Sequence, residues 1–207
     1  MRFDMDKLAG AERYKLLASS VTPRPIAWVT SLDPDGRLNT APYSFFNVMG
    51  HTPPTVVLGF LVRETGEPKD TPANILAGGE FVVNLVSEAD AAAMNATCID
   101  APPGWDEASY AGLDLIPSDH VAPPRIASAP VSMECRLLQA VHPGPQQIIV
   151  IGEVVTMHVA DHLVLDADRC HLDTPAMGLV GRVHGAGWYA RTTDLFQLER
   201  PRFADVK

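Results

Sequence analysis

Basic residues are in short supply in this chain: 16 Lys and Arg stand against 25 Asp and Glu, a formal net charge of −9 over 207 residues. A surface of that sign repels phosphate backbones, which excludes nucleic acid as the main partner. A phosphorylated small ligand is left open only where the few cations are concentrated locally. Cysteine is scarce too. Cys98, Cys135 and Cys170 lie far apart and form no CxxC, too sparse a set for a disulfide framework. They read as reduced, buried thiols of a cytoplasmic protein. Long apolar runs are missing: the longest, Val56 to Val62, falls well short of the ~20 residues of a membrane-spanning helix. The opening MRFDMDKLAGAER mixes charges and lacks the apolar stretch of a signal peptide. Several motifs of chemistry are absent as well. There is no GxSxG, no GxxxxGK[ST] and no HExxH, and Gly178, Gly181, Gly185 and Gly187 do not fit GxGxxG. His158, His162 and His171 are irregularly spaced and read as solvent-facing side chains rather than metal ligands.

What the chain does have is 46% hydrophobic residues, enough to exclude disorder as its main state. At roughly 100–200 residues per domain, residues 1–207 read as one domain. Asp4 and Asp6 ahead of Leu8, Tyr14, Leu16 and Leu17 predict a short N-terminal helix with acids in its first turn. Ile26 to Ser31 is β-prone and ends at the turn Asp33-Pro34-Asp35-Gly36, with another extended segment after it. Thr55 to Val62 is apolar throughout and reads as a strand buried on both faces; Phe81 to Val86 is a further strand. Met133, Cys135 and Leu137 alternate with Ser132, Glu134 and Arg136, the period of a half-buried strand. His142-Pro143-Gly144-Pro145 joins it to the β-prone run Gln146 to Val159 as a hairpin. Two helices interrupt the strands. One opens with Thr71 as N-cap and Pro72 behind it and closes at Gly78-Gly79; the other opens at Ser87-Glu88-Ala89-Asp90. Residues 98–130 carry Pro, Gly and Ser without periodicity and read as a long surface excursion. Many short strands without βαβ alternation indicate a mainly β, antiparallel domain, a barrel or a sandwich.

Four polar clusters stand at strand edges: Arg24 to Ser31, Asn39 to Asn47, Lys69 to Asn74, and Gly181 to Gly185. Taken singly, each has a structural explanation in a cap, a core aromatic or a solvated cation. Taken together they suit a phosphorylated planar heterocycle. A phosphate is held by backbone N–H groups, hydroxyls and a cation, and a helix N-terminus supplies the first. A flat ring is held by small or apolar walls with a few polar groups at its edge.

The runs RPIAWVTS, DPDGRLNTAPYSFFNV, PPTVVLGF, KDTPANI and FVVN, with GRVHGAGWYARTTDLFQLERP near the end, resemble the flavin reductase-like family of FMN-binding split barrels. The resemblance runs from about Tyr14 to Pro201 and rests on the order of several modest motifs. It implies a six-stranded antiparallel Greek-key split barrel with a few flanking helices, and a homodimer that binds FMN near the subunit interface. By position, Thr30 and Ser31 are implied to offer hydroxyls to the flavin phosphate or ribityl chain. Asn39, Ala41, Pro42, Tyr43, Ser44 and Phe45 are implied to line the ring. Lys69, Asp70 and Thr71 match the element near the phosphate, with Asn74 in support, and Arg182 matches a cofactor-binding basic residue. Many relatives read Arg-Leu-Gly-Gly where this chain has Arg182-Val183-His184-Gly185, a departure at the opening to the ring. The activity implied is an NAD(P)H-dependent oxidoreductase in which hydride passes from nicotinamide to flavin N5. The flavin carries the chemistry, so no catalytic side chain is required. Reduced flavin would serve a monooxygenase or another acceptor. The alternative is a flavoredoxin-like electron carrier or flavin-binding module without NAD(P)H activity.

Overall fold

The computed structural model describes residues 1–203. A single 3-10 turn at Met5–Lys7 precedes helix α1 (Gly10–Ser20), whose leading Ala9 N–H is bonded to Glu12 Oε2 at 2.9 Å. The helix therefore starts after Asp4 and Asp6, and Glu12 is the acid of its first turn. Strands β1 (Ala27–Leu32) and β2 (Leu38–Tyr43) form a hairpin. Asp33 shapes the turn: its carboxylate accepts from the Asp35 N–H at 2.9 Å and the Arg37 N–H at 2.8 Å, while Gly36 takes φ +80°. A second hairpin follows, β3 (Phe46–His51) with β4 (Pro54–Leu61). After it come α2 (Asp70–Gly78), β5 (Glu80–Leu85), α3 (Ala91–Ala96) and the four-residue α4 (Glu107–Tyr110). The short β6 (Leu115–Ile116) pairs with β7 (Arg125–Ile126). The long β8 (Val131–Gly144) and β9 (Gln147–Val159) make the expected hairpin, with β8 running through Pro143 to Gly144. Two small ribbons finish the described chain, β10 (Val164–Asp166) with β11 (His171–Leu172), and β12 (Val180–Arg182) with β13 (Tyr189–Arg191).

The main sheet has the order β2-β1-β5-β8-β9-β4-β3, antiparallel at every step. Its two edge strands, β2 and β3, are joined only by Ser44 and Phe45. Three peptide steps span roughly 10 Å, so the sheet has to curl until its edges meet. The Gly59 N–H donates to the Phe45 carbonyl at 2.7 Å, and the Tyr43 ring meets Phe60 edge-on, centroids 4.6 Å apart. The antiparallel split barrel is thus observed, with seven strands in the sheet instead of six. Strand β3 is the least buried of the seven. Only its first residue, Phe46, is buried, and the other five positions face solvent.

Phe60, Phe81, Leu58, Val29, Val83 and Val150 fill the barrel, each full burial of such a side chain being worth about 1.5–3 kcal/mol. Strand β4 buries only Val56, Leu58 and Phe60, and its alternate residues lie at the outer face. The expectation of a strand covered on both sides belongs instead to β1 and β5. Their outer faces lie under a second apolar cluster that joins Trp28, Val86, Met94 and Ile126, so residues 98–130 form a cover and not a loose excursion. Long-range bonds fasten this cover. Trp28 Nε1 donates to Thr97 Oγ1 at 2.9 Å, the Thr30 hydroxyl to the Pro124 carbonyl at 2.6 Å, and the Ile126 N–H to Asn84 Oδ1 at 3.0 Å. Glu134, fully buried, accepts from the N–H groups of Asp119 at 2.8 Å and His120 at 2.7 Å. His158 Nε2 lies 2.6 Å from the same carboxylate, so His158 is a partly buried partner rather than a solvent-facing residue. Burial alone would lift the Glu134 carboxyl, but these donors outweigh it and hold it below the usual carboxylate range. Of the thiols only Cys135 is buried; Cys98 and Cys170 are exposed. No helix among the described residues is long and apolar enough to cross a membrane.

Candidate functional site

Two adjoining cavities open beside the seam of the barrel, and Pro42, Tyr43 and Cys98 wall both. The first, about 230 Å³, lies between β2 and the start of α2. Asn39, Ala41 and Tyr43 project into it from one face of β2, as the two-residue period of a strand requires. Arg63, Lys69 and Thr71 face them, and residues 98–101 with Glu107 close the outer wall. Lys69 is the N-cap of α2, whose first turn no side chain caps. Open N–H groups, the helix dipole and two cations therefore converge on one end of this cavity. Arg63 is held by Asp70 at 2.9 Å. The helix ends at Gly79, φ +72°, as the Gly78-Gly79 pair predicts.

A polar chain stiffens the floor. The Thr71 hydroxyl donates to Asn39 Oδ1, while Asn39 Nδ2 contacts both oxygens of Glu107 at 3.3 Å. Glu107 also accepts the Thr40 N–H at 3.1 Å, which caps a donor on the open edge of β2. Thr71 is thus not the N-cap, because the helix begins earlier and turns this hydroxyl toward β2. Glu107 is only 6% exposed. Burial raises its carboxyl above the usual range, against the pull of the Thr40 and Asn39 donors. Burial, eased by the Thr71 hydroxyl and reinforced by Asp70 and Glu107, pushes the Tyr43 phenol up to about 12, so it remains a neutral O–H.

The second cavity, about 250 Å³, is reached past Tyr43 and bounded by Ser44, Met94, Asn95, Arg182, Gly187 and Tyr189. Arg182 sits here, away from the residues around Lys69. Its Nη2 donates to the Gly185 carbonyl at 2.6 Å and its guanidinium lies 4.9 Å from the centre of the Tyr189 ring. His184, the departure from the glycine of relatives, stacks on Trp188 with centroids 6.0 Å apart, in the loop that carries Gly187 to this cavity.

Of the residues singled out from sequence, Asn39, Ala41, Pro42, Tyr43, Lys69, Asp70 and Thr71 come together at the first cavity, and Ser44 and Arg182 at the second. Thr30, Ser31, Asn74 and Phe45 reach neither. Thr30 and Ser31 lie on a strand covered on both faces, Thr30 bonded to Pro124 and Ser31 accepting from Asn74 Nδ2 at 3.1 Å. Phe45 turns outward, 5.9 Å from the Arg24 guanidinium and 5.7 Å from the Tyr14 ring. Sequence reasoning missed Arg63, residues 98–101, Glu107, Asn95 and Tyr189. A lone acid in the Pro- and Gly-rich stretch gives no sign that it will be buried against β2.

Comparison with known proteins accords with this arrangement. Residues 19–172 match the model of the "Flavin reductase like domain". An uncharacterized protein of Deinococcus radiodurans is 47% identical over 206 residues, covering 98% of this chain and 90% of that protein. Among solved structures, the 2-nitrobenzoate 2-nitroreductase of Pseudomonas fluorescens is 37% identical with a TM-score of 0.87, over 98% of each chain. Nitrilotriacetate monooxygenase component B from Bacillus cereus is 35% identical with a TM-score of 0.90, over 96% of this chain and 98% of that one. With a split barrel closed at Ser44–Phe45, paired cavities at its seam and a family match over most of its length, this chain belongs to the flavin reductase-like domain family.

Proposed function

We propose that the protein is an FMN-binding oxidoreductase that accepts hydride from NAD(P)H. The observation that carries this reading is the convergence of Lys69, Arg63 and the uncapped start of α2 on one end of a cavity whose other walls are Ala41, Pro42 and Tyr43. Asp70, Asp100 and Glu107 line the same cavity and Arg63 is paired with Asp70, so the donors offered to a phosphate are the Lys69 ammonium and the open N–H groups at the start of α2. The small and flat walls suit a planar ring. Lys69, Thr71 and the first turn of α2 would hold the phosphate, and Asn39 to Tyr43 the ring. Bound there, the flavin supplies two-electron redox chemistry that no side chain of this chain offers. The protein's own part is to bind, orient and shield. Glu107 fixes the Asn39 amide, the neutral Tyr43 hydroxyl keeps charge off the ring wall, and residues 98–101 exclude water from one side.

A homodimer fits the same reading. An apolar groove of about 440 Å³ runs between α1 and β3, lined by Leu17, Val21, Phe45, Met49 and Ile149. Leu195, Phe196, Leu198 and Phe203 of the C-terminal stretch stand more than half exposed. Both are exposed apolar surface of the kind a second copy would cover. Anaerobic mixing of the FMN-loaded protein with NADH and with NADPH tests the activity. Bleaching of the flavin absorbance by either is expected. No bleaching by both would leave an electron carrier, and failure of FMN to bind at all would end the reading.

A further inference from the structure

Arg182 is the one cation lining the second cavity among the described residues, and Arg24 lies directly behind it. The backbones of Arg24 and Arg182 bridge each other, N–H to carbonyl, at 2.8 Å in both directions. Arg24 is 7% exposed and spends its guanidinium on neutral acceptors. Its Nη1 donates to the carbonyls of Ala18 and, at 2.7 Å, Val21, and its Nε donates to Ser44 Oγ at 3.3 Å. Among the described residues no carboxylate lies within ion-pair distance of either guanidinium, although acids outnumber bases 25 to 16. Arg182 Nη1 is buried with no hydrogen-bond partner. A buried guanidinium donor left unpaired costs more than an ordinary missing hydrogen bond, and native structures rarely keep one without a use.

The surroundings define what would satisfy it. The Tyr189 ring holds the guanidinium plane from one side. Ile26, Pro42 and Met94 give apolar walls, and Tyr43 connects the space to the first cavity. The Ser44 hydroxyl, which accepts from Arg24, keeps its own proton to donate. The space is about 250 Å³, and apolar walls with one cation at the edge suit a flat anionic ring. We infer that this cavity is a subsite for a small planar carboxylic acid, an aromatic monocarboxylate, whose carboxylate is received by the Arg182 guanidinium, free of any carboxylate partner, and the Ser44 hydroxyl with its ring between Tyr43 and Tyr189. As the place of the flavin's reaction partner the subsite rests on the function proposed above; as an anion site it stands without it.

The test uses benzoate and its neutral isostere benzamide, titrated by calorimetry into the full-length protein with and without FMN. Benzoate is expected to bind about tenfold or more tightly than benzamide, the scale of one charge-assisted hydrogen bond. That preference should vanish in Arg182→Gln and survive in part in Arg182→Lys. Near-equal binding of the two probes to the wild type, or a preference that persists in Arg182→Gln, overturns the inference. So does a selective loss of FMN against riboflavin in Arg182→Gln, which would give this side chain to the flavin phosphate. A benzoate preference without FMN binding would uphold the anion site and remove the flavin function, whereas FMN binding without a benzoate preference would do the reverse.

Discussion

Removing the Lys69 ammonium should separate the phosphate from the ring. A charge-assisted bond to phosphate is worth about 1.5–3 kcal/mol. Lys69 is exposed, so solvent and salt screen it, and the low end applies, about 1.5 kcal/mol. At ~1.4 kcal/mol per decade this predicts an FMN Kd raised about tenfold in Lys69→Ala. Riboflavin, which lacks the phosphate, should shift by less than about twofold, because the ring walls at Ala41, Pro42 and Tyr43 are untouched. The residual FMN affinity reflects Arg63 and the start of α2, which the substitution leaves in place. Quenching of flavin fluorescence on titration measures both ligands, at low salt and again at high salt. The tenfold gap should narrow as salt rises, since exposed charges are screened over about 8 Å at physiological ionic strength. Equal losses for FMN and riboflavin, or a gap indifferent to salt, would refute the assignment of Lys69 to the phosphate.

Gly152→Ala would put a Cβ 2.5 Å from Phe81 Cζ inside the barrel, and overpacking of that kind costs about 1–3 kcal/mol; a lower urea midpoint with an unchanged slope would record it. Glu107 gives a pH dependence of definite sign. Its folded pKa is raised by burial, so its contribution is fully present below the unfolded value of about 4.3 and is lost as pH rises through the folded one. The neutral Glu107→Gln variant should therefore lose less stability than the wild type as pH rises from about 4 toward neutrality, and parallel stability curves would count against it. Deleting the residues after Thr193 removes Leu195, Phe196, Leu198 and Phe203 while keeping the Thr192 bond to the Leu179 carbonyl at 3.0 Å; light scattering should then show a shift toward monomer.

The strands that the sequence discloses are those whose neighbours in the chain decide them. The β8–β9 hairpin is visible in the alternation about Cys135 and in the Pro and Gly of its turn, and the end of α2 in its glycine pair. Strand β3 is not visible, because Asn47, Met49, Gly50 and His51 carry little β preference and pairing with β4 alone makes them extended. The burial of β1 on both faces likewise depends on residues 98–130, whose place is set by partners tens of positions away. The candidate site divides along the same line. Asn39 to Tyr43 and Lys69 to Thr71 are adjacent in sequence and arrive together. Thr30 and Ser31 look equally suited as hydroxyls, but the cover buries them, and nothing local announces that.

The segment between β5 and β8 walls the first cavity yet leaves the barrel register to the strands themselves. Loop-closure entropy grows only logarithmically, about 0.6 kcal/mol for each doubling of length. Lineages can thus lengthen, trim or recompose residues 98–106, which are mostly exposed, at little thermodynamic expense, altering which molecules are admitted while the packed cover after them and the staves underneath keep their alignment. Diversification of substrate range within such a scaffold should concentrate there.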